Sequence, residues 1–267
     1  MNMTRRQLLH TSLGSLLAAG LWPGALAAGD VDTKPFHFIA VNDLHYLNEK
    51  CAPWFERMIA SFKSQANKPD FVLISGDLVE HGTRPQHGAI KELLDTIQLP
   101  YYVVPGNHDY VSQTDRTAYD QLHPGRINYR FDHQGWQFVA LDSSEGTKSQ
   151  NVTAPKVTFD WLDATLPKLD KKKPMILFTH FPLGFGVPLI LKNANDILKR
   201  FLDYNLQAAY CGHYHGFTEM KTGNVVLTTN KCCSFARANH DKTPEKGYFL
   251  CSTKDGQVTR QFIDLTR

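Results

Sequence analysis

Five short polar clusters follow one another in fixed order along the 267 residues, each directly after an apolar run of strand length. They are Asp43-Leu44-His45, Gly76-Asp77, Gly106-Asn107-His108-Asp109, the lone His180, and Gly212-His213-Tyr214-His215. The runs at 36–41, 71–75, 101–104, 175–179 and 208–211 are short and apolar and read as buried strands. Oxygen and imidazole donors at five strand ends narrow the fold sharply. A parallel sheet would bring all five to one edge, where ligand groups collect in open α/β proteins.

Between these strands the pattern is helical at 54–62, 86–98, 114–121, 157–166 and 194–204. Further strands are predicted at 127–131, 136–141, 217–220, 225–229, 248–252 and 259–263. Strand and helix in alternation predict an α/β layered fold. A hydrophobic content of 42% in a chain of this length suits one sizeable core and one domain. The long loops are 143–155 and 234–247, and loops of that length in a compact domain often serve function.

Residue types at the strand ends point to cations. Asp43 and His45 are two apart, so in extended chain their side chains leave on one face and can share an ion. Asp77 has two carboxylate oxygens and can bridge two ions, while Asn107 offers an amide oxygen that adds no charge. His180, His213 and His215 supply neutral imidazoles, the commonest ligands of divalent transition metals. Taken singly, each cluster has a plainer explanation: a chance Asp-x-His, a polar turn, a hairpin with incidental histidines, a structural histidine after a strand. Their conjunction in order at successive strand ends does not.

The ensemble resembles the calcineurin-like metallophosphoesterase family, over nearly the whole chain after residue 27, and is similar to its cyclic-nucleotide phosphodiesterase branch around 99–101 and 136–142. Phe181-Pro182 after His180 matches the family's habit at that place. The resemblance implies a four-layer αββα sandwich with a dinuclear metal site at the strand ends. One ion would be held by Asp43, His45, Asp77 and His215, the other by Asp77, Asn107, His180 and His213. His108 would be free of metal, contact the transferring phosphate and protonate the leaving oxygen, with Asp109 orienting it. The ions would be two divalent or trivalent transition metals, with Mn, Fe, Zn and Co all accepting such a mixed shell. One departure bears on their identity. The purple acid phosphatase branch has a metal-binding tyrosine three residues after the bridging aspartate, and this chain has Glu80 there, which disfavours a diferric purple site.

Function follows as an expectation: an exported phosphohydrolase that cleaves monoesters or diesters through a hydroxide bridging two ions. A nuclease or phospholipid-directed diesterase is the alternative, and a noncatalytic scaffold of the same fold is disfavoured by the presence of His108. Arg237 and Lys231 could hold a phosphate, although solvated loop charge is the plainer reading. The partner implied is a small phosphorylated substrate.

Residues 1–27 read as an export signal, and residues 28–267 as the folded domain. Thr4-Arg5-Arg6-Gln7-Leu8-Leu9 is a twin-arginine pattern, residues 8–21 are apolar, and Ala25-Leu26-Ala27 is a small-x-small cleavage site. Leu8 and His10 stand where that pattern has Phe and Lys, so an ordinary general-pathway signal is the alternative. The twin-arginine reading implies the export machinery for folded proteins and a periplasmic or secreted location. Without those 27 residues the charge is 27 basic against 26 acidic. A nucleic-acid surface is therefore not implied, and no run is long enough for a membrane span. The cysteines Cys51, Cys211, Cys232, Cys233 and Cys251 fit no zinc pattern. An exported protein could form one or two bridges from them.

Overall fold

The computed structural model describes residues 32–267. The expected signal at 1–27 and the boundary at 28 lie outside the described residues. Eleven strands and five α-helices are present among them. In chain order these are β1 Phe36–Val41, α1 Ala52–Ser64, β2 Phe71–Ser75, α2 Arg84–Asp95, β3 Tyr101–Val104, α3 Thr117–Leu122, β4 Tyr129–His133 and β5 Trp136–Leu141. There follow α4 Lys156–Thr165, β6 Met175–Thr179, α5 Ala194–Arg200, β7 Leu206–Cys211, β8 Thr218–Thr222, β9 Val225–Thr229, β10 Gly247–Lys254 and β11 Gln257–Asp264.

The strands form two sheets rather than one. Five lie in the order β11-β10-β1-β2-β3, and six in the order β4-β5-β6-β7-β9-β8. In the first, β1, β2 and β3 are parallel, with β10 and β11 antiparallel at one side. In the second, β5, β6, β7 and β9 are parallel, flanked by antiparallel β4 and β8. A single parallel sheet bringing all five clusters to one edge is thus corrected. Three clusters come from the first sheet and two from the second.

Side-chain alternation explains the pairing of the sheets. Phe36, Phe38 and Ala40 of β1, Phe71 and Leu73 of β2, Trp136, Phe138 and Ala140 of β5, and Phe178 of β6 fill one inter-sheet layer. The alternate residues, such as Ile39, Val41, Val72, Ile74, Val139 and Leu177, face outward into separate helix-covered clusters. Both faces are apolar because both are covered, as parallel sheets require. Helix α1 buries Trp54, Phe55, Met58, Ile59 and Phe62, a 3.6-residue stripe against the first sheet. Leu162 of α4 and Ile197 and Leu198 of α5 pack in the cluster on the second sheet. The four layers of the expected αββα sandwich follow. Phe71 stacks on Phe38 at 5.4 Å and meets Phe138 edge-on at 5.2 Å, so these rings tie the sheets together. Each such ring contributes about 2–3 kcal/mol by burial.

Boundaries move where turns decide them. The strand expected at 127–131 is displaced to Tyr129–His133, because Gln134 and Gly135, both at positive φ, make the two-residue turn that pairs His133 with Trp136. The helix expected at 114–121 begins at Thr117, since Val111 N donates to Asp115 O and closes a turn before it. No helix among the described residues is long and apolar enough to cross a membrane.

Candidate metal centre

The five clusters meet where the carboxyl ends of β1, β2, β3, β6 and β7 converge. Asp43, His45, Asp77, Asn107, His180, His213 and His215 are all buried, at 0–5% exposure. Asp43, His45, Asp77 and His215 each offer a ligand atom within 4.8 Å of the others, as do Asp77, His180 and His213. Asn107 Oδ1 joins the second group, 3.2 Å from His180 Nε2. The seven residues therefore form two donor sets that share Asp77.

Hydrogen bonding fixes what those donors face. His180 Nδ1 lies 2.9 Å from Ser75 O, and His213 Nε2 lies 2.8 Å from Ser149 O. A carbonyl only accepts, so both nitrogens carry their proton. In the neutral rings the opposite nitrogens, 3.2 Å apart, are then both lone pairs. Asn107 Oδ1 stands beside them, and Asp77 Oδ2 is 3.3 Å from His180 Nε2. Four acceptors converge with no donor among them, and Asp77 Oδ2 is buried without a hydrogen-bond partner. Such a group calls for a cation. Mixed carboxylate, amide and imidazole donors suit a divalent transition metal. The first set is similar: His45 Nε2 and His215 Nε2 are 3.0 Å apart, with Asp43 Oδ1 3.3 Å from the latter.

Electrostatics without an ion show the same demand. Burial works to lower His180, but Asp77 and Asp43 raise it to about 9. Burial and the His180 charge push His213 down to about 3. Burial acts to raise Asp77, and His180 and His45 override it, holding that carboxyl well below its ordinary range.

The backbone is unusual at these positions. Asp43, His45, Asp77, His213 and His215 have φ of 53, 48, 52, 65 and 48°, in the left-handed region. That region costs a non-glycine residue roughly 1–2 kcal/mol, and Asp and His tolerate it better than most. The expectation that Asp43 and His45 share a face through extended chain is therefore corrected: β1 ends at Val41, and alternate left-handed residues turn both side chains inward. A loop-to-loop ladder holds them, with Asp43 N donating to Gly76 O and His45 N to Asp77 O at 3.1 and 3.0 Å. Two motif glycines make room. A Cβ at Gly106 would run into the Asp77 carboxylate, and one at Gly76 would come within 2.6 Å of His180 Nδ1.

His108 belongs to neither of these two sets, although it, His45 and Glu80 also bring one possible ligand atom each within 4.8 Å of one another. Its ring is more accessible, at 27% side-chain exposure, and Nδ1 donates to Glu80 O at 2.7 Å, which leaves Nε2 free. Asp109 does not orient that ring, contrary to expectation. Its fully buried carboxylate accepts from Gly106 N at 2.8 Å, Leu78 N at 2.9 Å and Val79 N at 3.3 Å, and so clamps the β3 loop to the β2 loop.

Glu80 has a larger part than sequence reasoning assigned it. Its carboxylate lies 3.0 Å from His45 Nδ1, outside good hydrogen-bond alignment, and forms a two-pronged pair with Arg237. Burial opposes ionisation, but His45 and Arg237 lower Glu80 to about 2. The Arg237 reading as solvated loop charge is thus corrected. No local signal foretells a pair 157 residues apart. His240, unassigned by sequence, stacks on His215 at 4.7 Å. All five cysteines are buried and free, so the bridges considered for them do not form.

The sequence profile of the calcineurin-like phosphoesterases matches residues 36–217. The chain is 26% identical over 171 residues to a probable glycerophosphodiester phosphodiesterase of Arcobacter nitrofigilis, covering 61% of this chain and 62% of that protein. It is 25% identical over 170 residues to a probable cyclic nucleotide phosphodiesterase of Fibrobacter succinogenes, covering 60% and 63%. The matched stretch thus spans less than two thirds of either relative. A purple acid phosphatase from yellow lupin seeds superposes with a TM-score of 0.65 at 13% identity, over 88% of this chain and 52% of that one, a likeness of fold.

Proposed function

Since the chain belongs to the calcineurin-like phosphoesterase family, we propose that it is a metal-dependent hydrolase of phosphoric esters that acts on small phosphodiesters. The observation that carries this reading is the buried ring of acceptors around Asp77, with the accessible His108 at its margin. Both relatives described above are named as phosphodiesterases, which supports the diester preference.

Asp43, His45, Asp77 and His215 would hold one cation, and Asp77, Asn107, His180 and His213 the other. When bound, such a pair supplies Lewis-acid polarisation of the phosphate oxygens and a water activated for in-line attack. The chain's own residues do the rest. Ser75 O and Ser149 O fix the ring tautomers of His180 and His213, so that each presents a lone pair. His108, held through Nδ1 by Glu80 O, presents Nε2 to the substrate. A proton carried there passes to the departing alkoxide oxygen as the phosphorus–oxygen bond breaks. Arg237, 40% exposed on its side chain and braced by Glu80, can donate to a nonbridging oxygen. Because Glu80 already neutralises it, it favours the single charge of a diester over the double charge of a monoester.

The test compares protein stripped with a chelator against protein reloaded with Mn²⁺, on bis-p-nitrophenyl phosphate and p-nitrophenyl phosphate. Reloading is expected to restore hydrolysis, with higher kcat/KM on the diester. No metal-dependent hydrolysis of either ester would refute the enzymatic reading, and a monoester preference would refute the diester assignment. We also propose export through the twin-arginine pathway, on the strength of Arg5-Arg6 and the residues after them. Replacing both arginines by lysine should leave the protein in the cytoplasm; undiminished export would point to the general pathway.

A further inference from the structure

A cavity lies away from the metal centre, between the free sides of the two sheets. It measures about 470 Å³ and is walled by β8 and β9 on one side and β10 and β11 on the other. That volume is within the range of small-molecule sites. None of the seven candidate metal ligands lines it.

Its wall has three features that together describe a ligand. Phe217, Phe249 and Phe262 form an aromatic corner, with Phe249 meeting each of the others nearly edge-on at 6.1 Å. Phe217 is 48% exposed, although most large apolar side chains of the chain are buried. Asn230, also in the wall, is 3% exposed and its Nδ2 has no hydrogen-bond partner. The amide cannot be turned to relieve this, because Oδ1 accepts from Lys231 N at 2.9 Å. A buried donor without an acceptor is costly, and a ligand oxygen would satisfy it. Finally, Lys221, Lys231 and Arg260 face one acid in the wall, Glu219, which pairs with Arg260. Glu245 pairs with Lys231 at 2.6 Å from outside the wall. Within the wall itself three cations stand against one carboxylate.

We infer that this cavity binds a small planar aromatic anion, its ring in the corner of Phe217, Phe249 and Phe262 and an acceptor oxygen on Asn230 Nδ2. Lys221 and Arg260 attract the charge. Asn42 lies between the wall of this site and the metal centre. Asn42 Nδ2 donates to Asn230 O at 3.2 Å and to Asp43 Oδ2 at 2.5 Å.

The experiment is a calorimetric titration of the full domain with 2-naphthoate, with neutral 2-naphthamide as comparator. Saturable one-to-one binding is expected, with the acid bound about three- to fivefold more tightly than the amide. Asn230→Asp keeps the acceptor for Lys231 N and removes the free donor; it should weaken binding roughly tenfold. Val258→Trp fills the cavity from its half-buried wall and should weaken it as much, with the melting temperature unchanged. If Asn230→Asp does not fold, Val258→Trp decides alone. Absence of saturable binding, equal affinity for the amide, or insensitivity to Val258→Trp would overturn the assignment. So would a dimer in sedimentation that Val258→Trp dissociates, because the groove would then be an interface between copies of the chain.

Discussion

Asp77→Asn is expected to empty the metal centre while leaving the fold intact. The substitution is nearly isosteric, and the asparagine oxygen can still accept from His108 N, as Asp77 Oδ1 does at 2.9 Å. What changes is the other oxygen. Asp77 Oδ2 is the atom common to both donor sets, 3.5 Å from His45 Nε2 and 3.3 Å from His180 Nε2, with no partner of its own. An amide nitrogen there would point hydrogens at both imidazole lone pairs, remove one negative charge and bind neither cation. Elemental analysis should find well under two metal ions per chain. Hydrolysis of bis-p-nitrophenyl phosphate should fall by at least ~10³-fold, the scale of losing a preorganised electrostatic stabiliser. Two bound ions with activity within tenfold of wild type would sink the shared-carboxylate assignment.

His108→Asn should separate chemistry from metal binding. The ring lies outside both donor sets, and the bond that ties this position to Asp77 comes from its backbone, so metal content and melting temperature should be preserved. If Nε2 supplies the proton to the leaving oxygen, the loss depends on how much that oxygen needs one. Diesters with alkyl leaving groups should lose ~10²–10⁴-fold in kcat, the range for general acid catalysis. Diesters that release p-nitrophenolate, a stable anion, should lose far less. Equal losses on both substrates would leave His108 with phosphate binding alone, and a loss of metal would return it to the coordination shell. His108→Ala also releases Glu80 O from its hydrogen bond, which makes asparagine the cleaner probe.

Much of the molecule was legible in the chain. The strands at 36–41, 71–75, 101–104, 136–141, 175–179 and 225–229 match the sequence reading residue for residue. They are short apolar runs bounded by polar clusters, a signal that each segment carries by itself. The seven buried donors were legible for a related reason: each stands at the end of such a run. Helix ends were less so, because capping and turn closure, as at Val111 and Asp115, depend on a few hydrogen bonds that periodicity does not encode.

The residues by themselves determined which side chains gather, in what order, and that the collection is one of oxygen and imidazole donors without a nucleotide loop. Tertiary structure alone decided that two sheets, not one, supply them, and that left-handed backbone rather than extended chain aims Asp43 and His45. It decided that Asp109 braces loops while Glu80 holds His108 and Arg237, and that carbonyls of Ser75 and Ser149 set which imidazole nitrogens face inward. The physical reason is range. Strand-forming patterns and donor chemistry belong to neighbouring residues, whereas the direction of a lone pair or the partner of a carboxylate is fixed by groups up to 170 residues away. Packing Phe38, Phe71 and Phe138 between the sheets is what brings such groups within hydrogen-bonding distance.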